Sequence, residues 1–405
     1  MRIVIAHESV ETEGGAETYL VSVIQGLRER GHQIALLYHR RSDGESPLLL
    51  KGASPLLNLA HVAFGVEERG LDAAFADLRQ WRPDIGFSHN MGPLEVDRRL
   101  LALWPVVKML HGYFGTCVSG LKMHAFPSAQ VCERTFGPAC LALYFPRRCG
   151  QLSPGAMVEG YRWASEQRAL LARYTAAVVA SHHMRDEMAR HGVSERRLHV
   201  LPLFSTLRSD AVASGGEPDT VLFAGRMTPL KGGHVLIAAA ARASRLLGRP
   251  VHLVMAGEGP QKDTWRRLAA SLGVRLDLTG WVSLHDRARV YSRGLFVAVP
   301  SLWPEPFGLV GLDAASLGRP AIAFDVGGIS DWLTDNVNGR LVAPGAGSEG
   351  LAQAMFALLN DSEARERMGQ RALEVARRMS VATHVERLES IFRDAVSARG
   401  ASAAQ

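Results

Sequence analysis

Two carboxylates and two cations stand out in this 405-residue sequence, because each falls where a strand should hand over to a helix. Glu305 and Asp313 are separated by seven residues in the stretch Pro300–Ser–Leu–Trp–Pro–Glu305–Pro–Phe–Gly–Leu–Val–Gly–Leu–Asp313. The apolar run Leu295–Pro300 reads as a buried parallel strand, and Gly308–Leu317 as a helix closed by Gly318 and Pro320. That helix is entered through Phe307 and Gly308. Its first turn, with Leu309 and Val310, leaves backbone amides without helical acceptors at the positive end of the dipole, a site for a phosphate-like anion. Arg226 and Lys231 follow another strand-like run, Val221–Gly225, ahead of a helix expected from about Gly232. In doubly wound sheets ligands sit beyond the carboxyl ends of the strands. Two cations there can neutralise a diphosphate, and the carboxylates can accept from sugar hydroxyls.

Each of these residues also has a plainer explanation. A loop glutamate is ordinarily just exposed, but Glu305 is flanked by Pro304 and Pro306 and so held stiffly ahead of the helix start. Asp313 can be a helix-surface residue, yet it lies among Val310, Gly311, Leu312, Ala314 and Ala315. A carboxylate in so apolar a helix needs a partner, and ribose hydroxyls are the expected one. Arg226 and Lys231 can be surface charge, but Gly225, Gly232 and Gly233 beside them mark tight backbone. Gly257–Glu258–Gly259, after Val251–Ala256, reads as a glycine-rich turn. Gly14–Gly15 precedes the helix expected from Ala16, where bare backbone lets a phosphate come close. His111 ends the strand Val106–Leu110; a lone histidine is more often structural, but a strand's carboxyl end favours substrate contact. His7, Glu8, His89 and Asn90 also lie at strand ends and are candidates for the acceptor side.

The nonapeptide Glu-Pro-Phe-Gly-Leu-Val-Gly-Leu-Asp resembles the signature of the family 4 glycosyltransferases (glycosyl transferases group 1), retaining enzymes with the GT-B fold. The family usually has Glu at the second acidic position, where this chain has Asp313. Phe223–Arg226 with Lys231–Gly232, Ala256–Pro260, Asp325–Ile329 and Asn338–Gly339 agree with the same pattern. The resemblance covers nearly the whole chain and is strongest from about 217 to 375. It implies an α/β protein of two Rossmann-like, doubly wound domains facing across a cleft. It implies that Arg226 and Lys231 contact the donor diphosphate, with Gly15, Gly225 and Gly257 close to the donor. Glu305 would face the transferred sugar, His111 would lie near it, Asp313 would hold the ribose, and Gly280–Trp281–Val282 would hold the base through the backbone. Catalysis would then rest on Glu305, His111, Arg226 and Lys231. The implied partners are a nucleotide-sugar donor and a glycan, lipid-linked or small-molecule acceptor, in cell-surface glycan, polysaccharide or glycolipid synthesis. No cofactor is implied beyond the donor substrate. No Asp-x-Asp triplet, the metal-holding device of the other glycosyltransferase fold, occurs in the sequence, so metal is expected to be dispensable.

Three rivals remain on the sequence alone. A nucleotide-sugar epimerase or hydrolase can share the fold. A catalytically degenerate, nucleotide-binding partner of another glycosyltransferase is kept open by Asp313 and by the absence of a Gly-Val-Asp after Leu203–Phe204. A dinucleotide-dependent dehydrogenase is disfavoured, since no Gly-x-Gly-x-x-Gly follows Arg2–Ala6.

The elements that must position these residues follow from periodicity. Arg2–Ala6, Gln33–Tyr38, Ile85–Ser88, Val106–Leu110 and Ala176–Ala180 read as strands. Ala16–Arg30, with an i, i+3, i+4, i+7 stripe at Leu20, Val23, Ile24 and Leu27, reads as a helix, as do Leu71–Trp81 and Met157–Tyr174. Residues 112–160 lose the pattern and hold all four cysteines, yet their aromatics argue against disorder. A second strand series begins at Val221–Ala224 and runs through Val251–Ala256, Leu276–Thr279, Phe296–Pro300 and Ala321–Phe324. The expected division is an acceptor-side domain 1–204, a linker 205–218, a nucleotide-sugar domain 219–380 and a C-terminal helix in 381–405 that crosses back to the first domain.

Composition bounds the partners. The net charge of +6 is spread evenly, with 23 basic and 20 acidic groups in residues 1–200 and the same numbers in 201–405. No basic tail or block exists, which argues against nucleic acid and leaves an anionic ligand or an anionic membrane surface. Met1–Ala6 is too short for a signal peptide, and no run approaches the roughly 18–20 apolar residues of a membrane span. A cytoplasmic protein is expected, with any membrane contact peripheral and at the inner face. Cys117, Cys132, Cys140 and Cys149 lack a Cys-x-x-Cys pair; free thiols are expected first and a structural metal second.

Overall fold

Short apolar runs bounded by turn residues become parallel strands in this chain, as runs buried on both faces do. The computed structural model describes residues 1–10, 15–40, 54–207 and 215–403. It forms two compact units, one of Met1–Lys122, Glu133–Pro202 and Val381–Gln405, the other of Met123–Cys132 and Leu203–Ser380. Gly14 and residues 208–214 of the expected linker lie outside the described residues.

The first unit is built on β1 (Arg2–Ser9), β2 (Gln33–Arg40), β3 (Val62–Gly65), β4 (Ile85–Ser88) and β5 (Val106–Leu110). Next in the chain come β6 (Met123–His124) and β7 (Gln130–Val131), a small antiparallel pair within the second unit. The first sheet is completed by β8 (Ala176–Val179) and β9 (Leu198–Val200), in the order β3-β2-β1-β4-β5-β8-β9, every pairing parallel. The order reverses between β1 and β4, the switch point at which such sheets bind ligands. Helix Gly15–Glu29 buries Tyr19, Leu20, Val23, Ile24 and Leu27. The C-terminal helix Val381–Ala403 belongs to this unit and packs on Gly15–Glu29, β4 and β5. Gly26 is why the two helices come so close: a Cβ there would stand 2.8 Å from Val385 Cγ2. Glu389 of the C-terminal helix accepts from Arg30 and bonds His32.

The second unit repeats the plan with β10 (Thr220–Ala224), β11 (His252–Ala256), β12 (Arg275–Gly280), β13 (Phe296–Val299), β14 (Ala321–Phe324) and β15 (Gly339–Val342). The order β12-β11-β10-β13-β14-β15 is again all parallel, with its switch point between β10 and β13. Both Rossmann-like, doubly wound units expected from the sequence are therefore present. Residues 112–160 are irregular apart from the β6–β7 pair, a five-residue helix Ala139–Leu143 and the first turns of helix Pro154–Leu171. Their aromatics are structural in part, since Tyr113, Phe136 and Tyr144 are buried. Among the described residues no helix is long and apolar enough to cross a membrane.

Candidate active site

In the second unit the two strands that flank the switch point deliver the chemistry. The loop after β10 carries Arg226 and Lys231, and the loop after β13 carries Glu305. Lys231 Nζ lies 2.6 Å from Glu305 Oε1, and the ammonium also sits over the Trp303 ring, 5.2 Å from its centroid. Ser301 Oγ donates to the same carboxylate oxygen. Glu305 is buried, with its main chain fixed as well: Gly328 N donates to Glu305 O at 2.7 Å. Lys231 keeps part of its side chain in solvent, and Arg226 is exposed and makes no ion pair among the described residues.

Backbone packing explains the glycines around these charges. Gly232 adopts a left-handed conformation, and a Cβ on it would fall 1.8 Å from Pro300 O. Gly257 has a similar reason: a Cβ there would meet Gly225 O at 2.1 Å, while Gly257 N donates to Gly280 O. The ends of β10, β11 and β12 are thus drawn into a close backbone layer. Gly308 caps helix Leu309–Ser316 in a left-handed conformation without a side-chain cap, and no acidic residue occupies the first turn. The amides of Leu309 and Val310 therefore begin a helix with its anion-attracting end uncompensated by side chains. Phe307 is buried and its carbonyl accepts from Trp332 Nε1 at 2.6 Å, which fixes the entry to the helix. Val282 is half-buried in the loop between β12 and helix Leu284–Tyr291, beside an exposed Trp281.

Asp313 is buried, and its partners are protein groups. Oδ1 accepts from Ser205 Oγ at 2.7 Å, and Oδ2 lies 3.5 Å from Arg287 Nη1. Burial raises its carboxyl from 3.8 to about 6, against the opposing pull of Arg287 and Ser205. The partner that an apolar helix demanded is thus supplied from within the unit. Ser205 and Arg287 carry no periodic signal that would have paired them with Asp313 from sequence.

The first unit holds a histidine cluster of its own at the carboxyl ends of β1, β4 and β5. His89 Nδ1 and His111 Nε2 share a 3.0 Å hydrogen bond, with the rings stacked at 5.3 Å. His7 Nε2 lies 3.0 Å from Glu17 Oε1. Burial, then His7, lowers His111 to about 3; burial, then His111, His7 and Lys108, holds His89 well below the ordinary histidine value. Both rings are therefore neutral at pH 7. Tyr19 stands edge-on to His111 and donates its hydroxyl to His384 Nε2, because His384 Nδ1 is already directed at Pro202 O. Tyr19 and His384 were missed from sequence; only their place on helices packed against the sheet points to them. Gly15 opens helix Gly15–Glu29, and a Cβ there would meet nothing within 4 Å among the described residues. Glu8 accepts from Gly92 N at 2.8 Å, and Asn90 O accepts from Glu8 N. The four cysteines are half-buried and form no disulfide, and among the described residues no three His, Cys, Asp or Glu side chains are grouped to hold a metal ion.

Comparison with known proteins places this geometry. Residues 13–204 match the family model Glycosyltransferase Family 4, and residues 207–375 match Glycosyl transferases group 1. The D-inositol 3-phosphate glycosyltransferase of Corynebacterium glutamicum is 38% identical over 184 residues, 44% of this chain and 44% of that protein. The Alpha-D-kanosaminyltransferase of Streptomyces kanamyceticus is 30% identical over 249 residues, 58% of this chain and 63% of that protein. The chain thus spans less than two thirds of the length of either relative. The crystal structure of Anabaena Alr3699/HepE in complex with UDP and glucose superposes with a TM-score of 0.70 at 19% identity, covering 97% of this chain and 100% of that one, a likeness of fold.

Proposed function

Because the chain belongs to family 4 of the glycosyltransferases, we propose that it moves a sugar from a nucleotide diphosphate sugar to an acceptor hydroxyl, with retention at the anomeric carbon. The observation that carries this is the Lys231–Glu305 pair beside the unpaired Arg226 and the start of helix Leu309–Ser316, all at the switch point of the second unit. Arg226, Lys231 and the helix amides take the donor diphosphate. Fixed cations that meet growing negative charge lower the barrier without reorganising. Lys231 is held ready by Glu305 and Trp303, and as it turns to the diphosphate the Glu305 carboxylate becomes free to accept from sugar hydroxyls.

The bond from the anomeric carbon to the diphosphate oxygen breaks as the acceptor oxygen approaches on the same face. The departing phosphate oxygen takes the acceptor's proton. Retention then needs no side-chain nucleophile, and the rate comes from positioning and charge stabilisation. His111, neutral at pH 7, serves as a hydrogen-bonding group near the transferred sugar and not as a cation. Charge neutralisation is assigned to protein groups without metal. A relative named for D-inositol 3-phosphate supports a small-molecule acceptor among the classes considered.

A thermal-shift panel of UDP, GDP, ADP and their sugars tests the donor. A ligand at 100 times its dissociation constant stabilises by roughly 2.7 kcal/mol. The anomer of the product by NMR, and turnover in EDTA, test retention and metal-independence. An inverted product, or activity lost on chelation and restored by Mn²⁺, overturns the corresponding part. Tight nucleotide binding with neither transfer nor hydrolysis from any bound donor sugar would favour the degenerate, binding-only alternative.

A further inference from the structure

The first unit holds a pocket of about 310 Å³ at the carboxyl ends of β4 and β5, with a chemistry of its own. Its walls are mainly apolar, with Met109 and Leu110 on one side and Phe114 and Trp163 on another. The two aromatic rings meet edge to face, centroids 5.4 Å apart at 89°. Trp163 is pinned by Nε1 donating to Gly92 O at 3.2 Å.

Two polar side chains line this pocket with an atom left unpartnered. Gln167 is 3% exposed and its Oε1 is buried without a hydrogen bond among the described residues; His89 is fully buried and its Nε2 likewise has none among them. Such atoms are expensive to leave unpaired, so they mark where a ligand's polar groups belong. Gln167 Oε1 can only accept and needs a donor. His89 Nε2 accepts if Nδ1 donates to His111, and donates if Nδ1 accepts; a hydroxyl satisfies either tautomer. Among the described residues the pocket offers no spare cation. Lys108 spends its three N–H groups on Ser88 Oγ, His89 O and Asp97 Oδ2. The other charged side chain of the lining is Glu8, whose carboxylate is already paired with Arg40 Nε at 3.4 Å. A second groove of about 540 Å³ shares Gly92 and Trp163, and Arg162 lines that groove only.

We propose that this pocket binds the acceptor, and that the acceptor is a neutral, hydroxylated ring with one apolar face, such as a pyranoside or a cyclitol, without a phosphate. Its hydroxyls meet Gln167, His89 and Glu8, and its C–H face lies on Trp163 and Phe114. The phosphate group of a monoester, ionised at neutral pH, cannot donate to Gln167 Oε1 and would have to compete with Glu8 for Arg40, the cation already paired with that carboxylate. The assignment rests on the glycosyltransferase reading and sets this chain apart from a relative named for an inositol phosphate.

The test is saturation-transfer NMR on the full chain without donor. The probes are methyl α-D-glucopyranoside, methyl α-D-galactopyranoside and myo-inositol, each beside its phosphate monoester. At least one neutral ring should bind, with its monoester at least about tenfold weaker. Gln167→Leu should weaken that binding roughly two- to tenfold. The same variant should not lower the melting temperature of the ligand-free protein, because it removes an unpaired buried oxygen, and nucleotide binding should be unchanged. A purely structural Gln167 would give the opposite pattern, a lower melting temperature with ring binding intact. Equal or tighter binding of the monoesters, or no binding of any neutral ring, overturns the proposal. Loss of nucleotide binding with ring binding intact would instead sink the glycosyltransferase reading and leave the pocket standing.

Discussion

Lys231 and Glu305 are 74 positions apart in the chain, and their side chains meet at 2.6 Å. Two backbone contacts bring them together. Leu302 N donates to Leu230 O at 2.8 Å, and Gly232 lets Pro300 O approach where a side chain would block it. The loops after β10 and β13 are thus one structural piece, which holds a cation and a carboxylate at the switch point before any ligand arrives.

The two cations should separate in a mutational test. Arg226→Ala should cost about 10²–10³ in turnover, as for loss of a transition-state charge stabiliser, with the melting temperature unchanged because Arg226 is exposed and has no ion pair to lose among the described residues. Lys231→Ala should lose as much turnover and also destabilise by roughly 1–3 kcal/mol, since it strips a buried carboxylate of its cation. Wild-type turnover in either variant would remove that residue from the diphosphate site.

Glu305→Gln keeps the shape of the side chain and removes its charge. Lys231 is then less restrained, so nucleotide diphosphate affinity should hold or rise. Turnover should fall by about 10²-fold if the carboxylate meets sugar hydroxyls in the transition state. Calorimetry with the cognate nucleotide and single-turnover rates on the same sample decide it; an equal loss in both would mean Glu305 only positions Lys231.

Gly232 and Gly248 form a matched pair. Both have φ near +68°, but a Cβ at Gly248 meets open space while one at Gly232 would fall on Pro300 O. Gly248→Ala should cost only the left-handed penalty, about 1–2 kcal/mol. Gly232→Ala should cost clearly more, because the β10 and β13 loops must part, and it should lose turnover with Lys231 still in place. Urea titration of the two variants side by side measures the difference, and equal costs would show that the two loops are not locked together.

Much of this arrangement was legible in the sequence. The strands Ile85–Ser88, Val106–Leu110 and Ala321–Phe324 and the helix Leu71–Trp81 fall on the residues that periodicity marks, because each is a clean run with breakers at its ends. Of the four edge strands of the two parallel sheets, Arg275–Gly280 was read as Leu276–Thr279 and the other three were not read. Val62–Gly65 and Gly339–Val342 are short and only partly buried, so their side chains do not alternate or cluster enough to be seen. Within the site, the motif around Glu305 could be read because its chemistry is local. The partners of Asp313 could not, since Ser205 lies 108 positions away and joins it only through the fold. The same holds for the bond between His89 and His111, which depends on β4 and β5 being neighbours in the sheet.

The histidine cluster predicts a flat response near neutrality. His111 is lowered to about 3, chiefly by burial, so it stays uncharged across pH 5–8. Because the unfolded chain takes up that proton near pH 6.5 and the folded one does not, this group's contribution to stability is lost as pH falls below about 6.5. Ring-proton NMR should show His111 and His89 unmoved between pH 5 and 8, while exposed histidines titrate. A midpoint near 6.5 for His111 would overturn its assignment as a neutral hydrogen-bonding group.

Asp313 predicts the opposite slope. Its carboxyl titrates near 3.8 in the unfolded chain and near 6 in the folded one, so between those values the folded state holds more protons. Stability from this group is therefore highest below about pH 4, falls as pH rises, and reaches its full deficit above about 6. The deficit is on the order of 3 kcal/mol at about 1.4 kcal/mol per pKa unit. Asp313→Asn keeps an acceptor for Ser205 and has no charge to bury. The variant's stability relative to wild type should thus increase between pH 4 and 7, a difference that cancels the other titrating groups. A flat difference would mean that Arg287 compensates the charge fully. The same variant bears on the ribose. With both carboxylate oxygens already engaged by Ser205 and Arg287, nucleotide affinity should weaken by less than about threefold, whereas a charged acceptor for a ribose hydroxyl would show as roughly 10- to 150-fold.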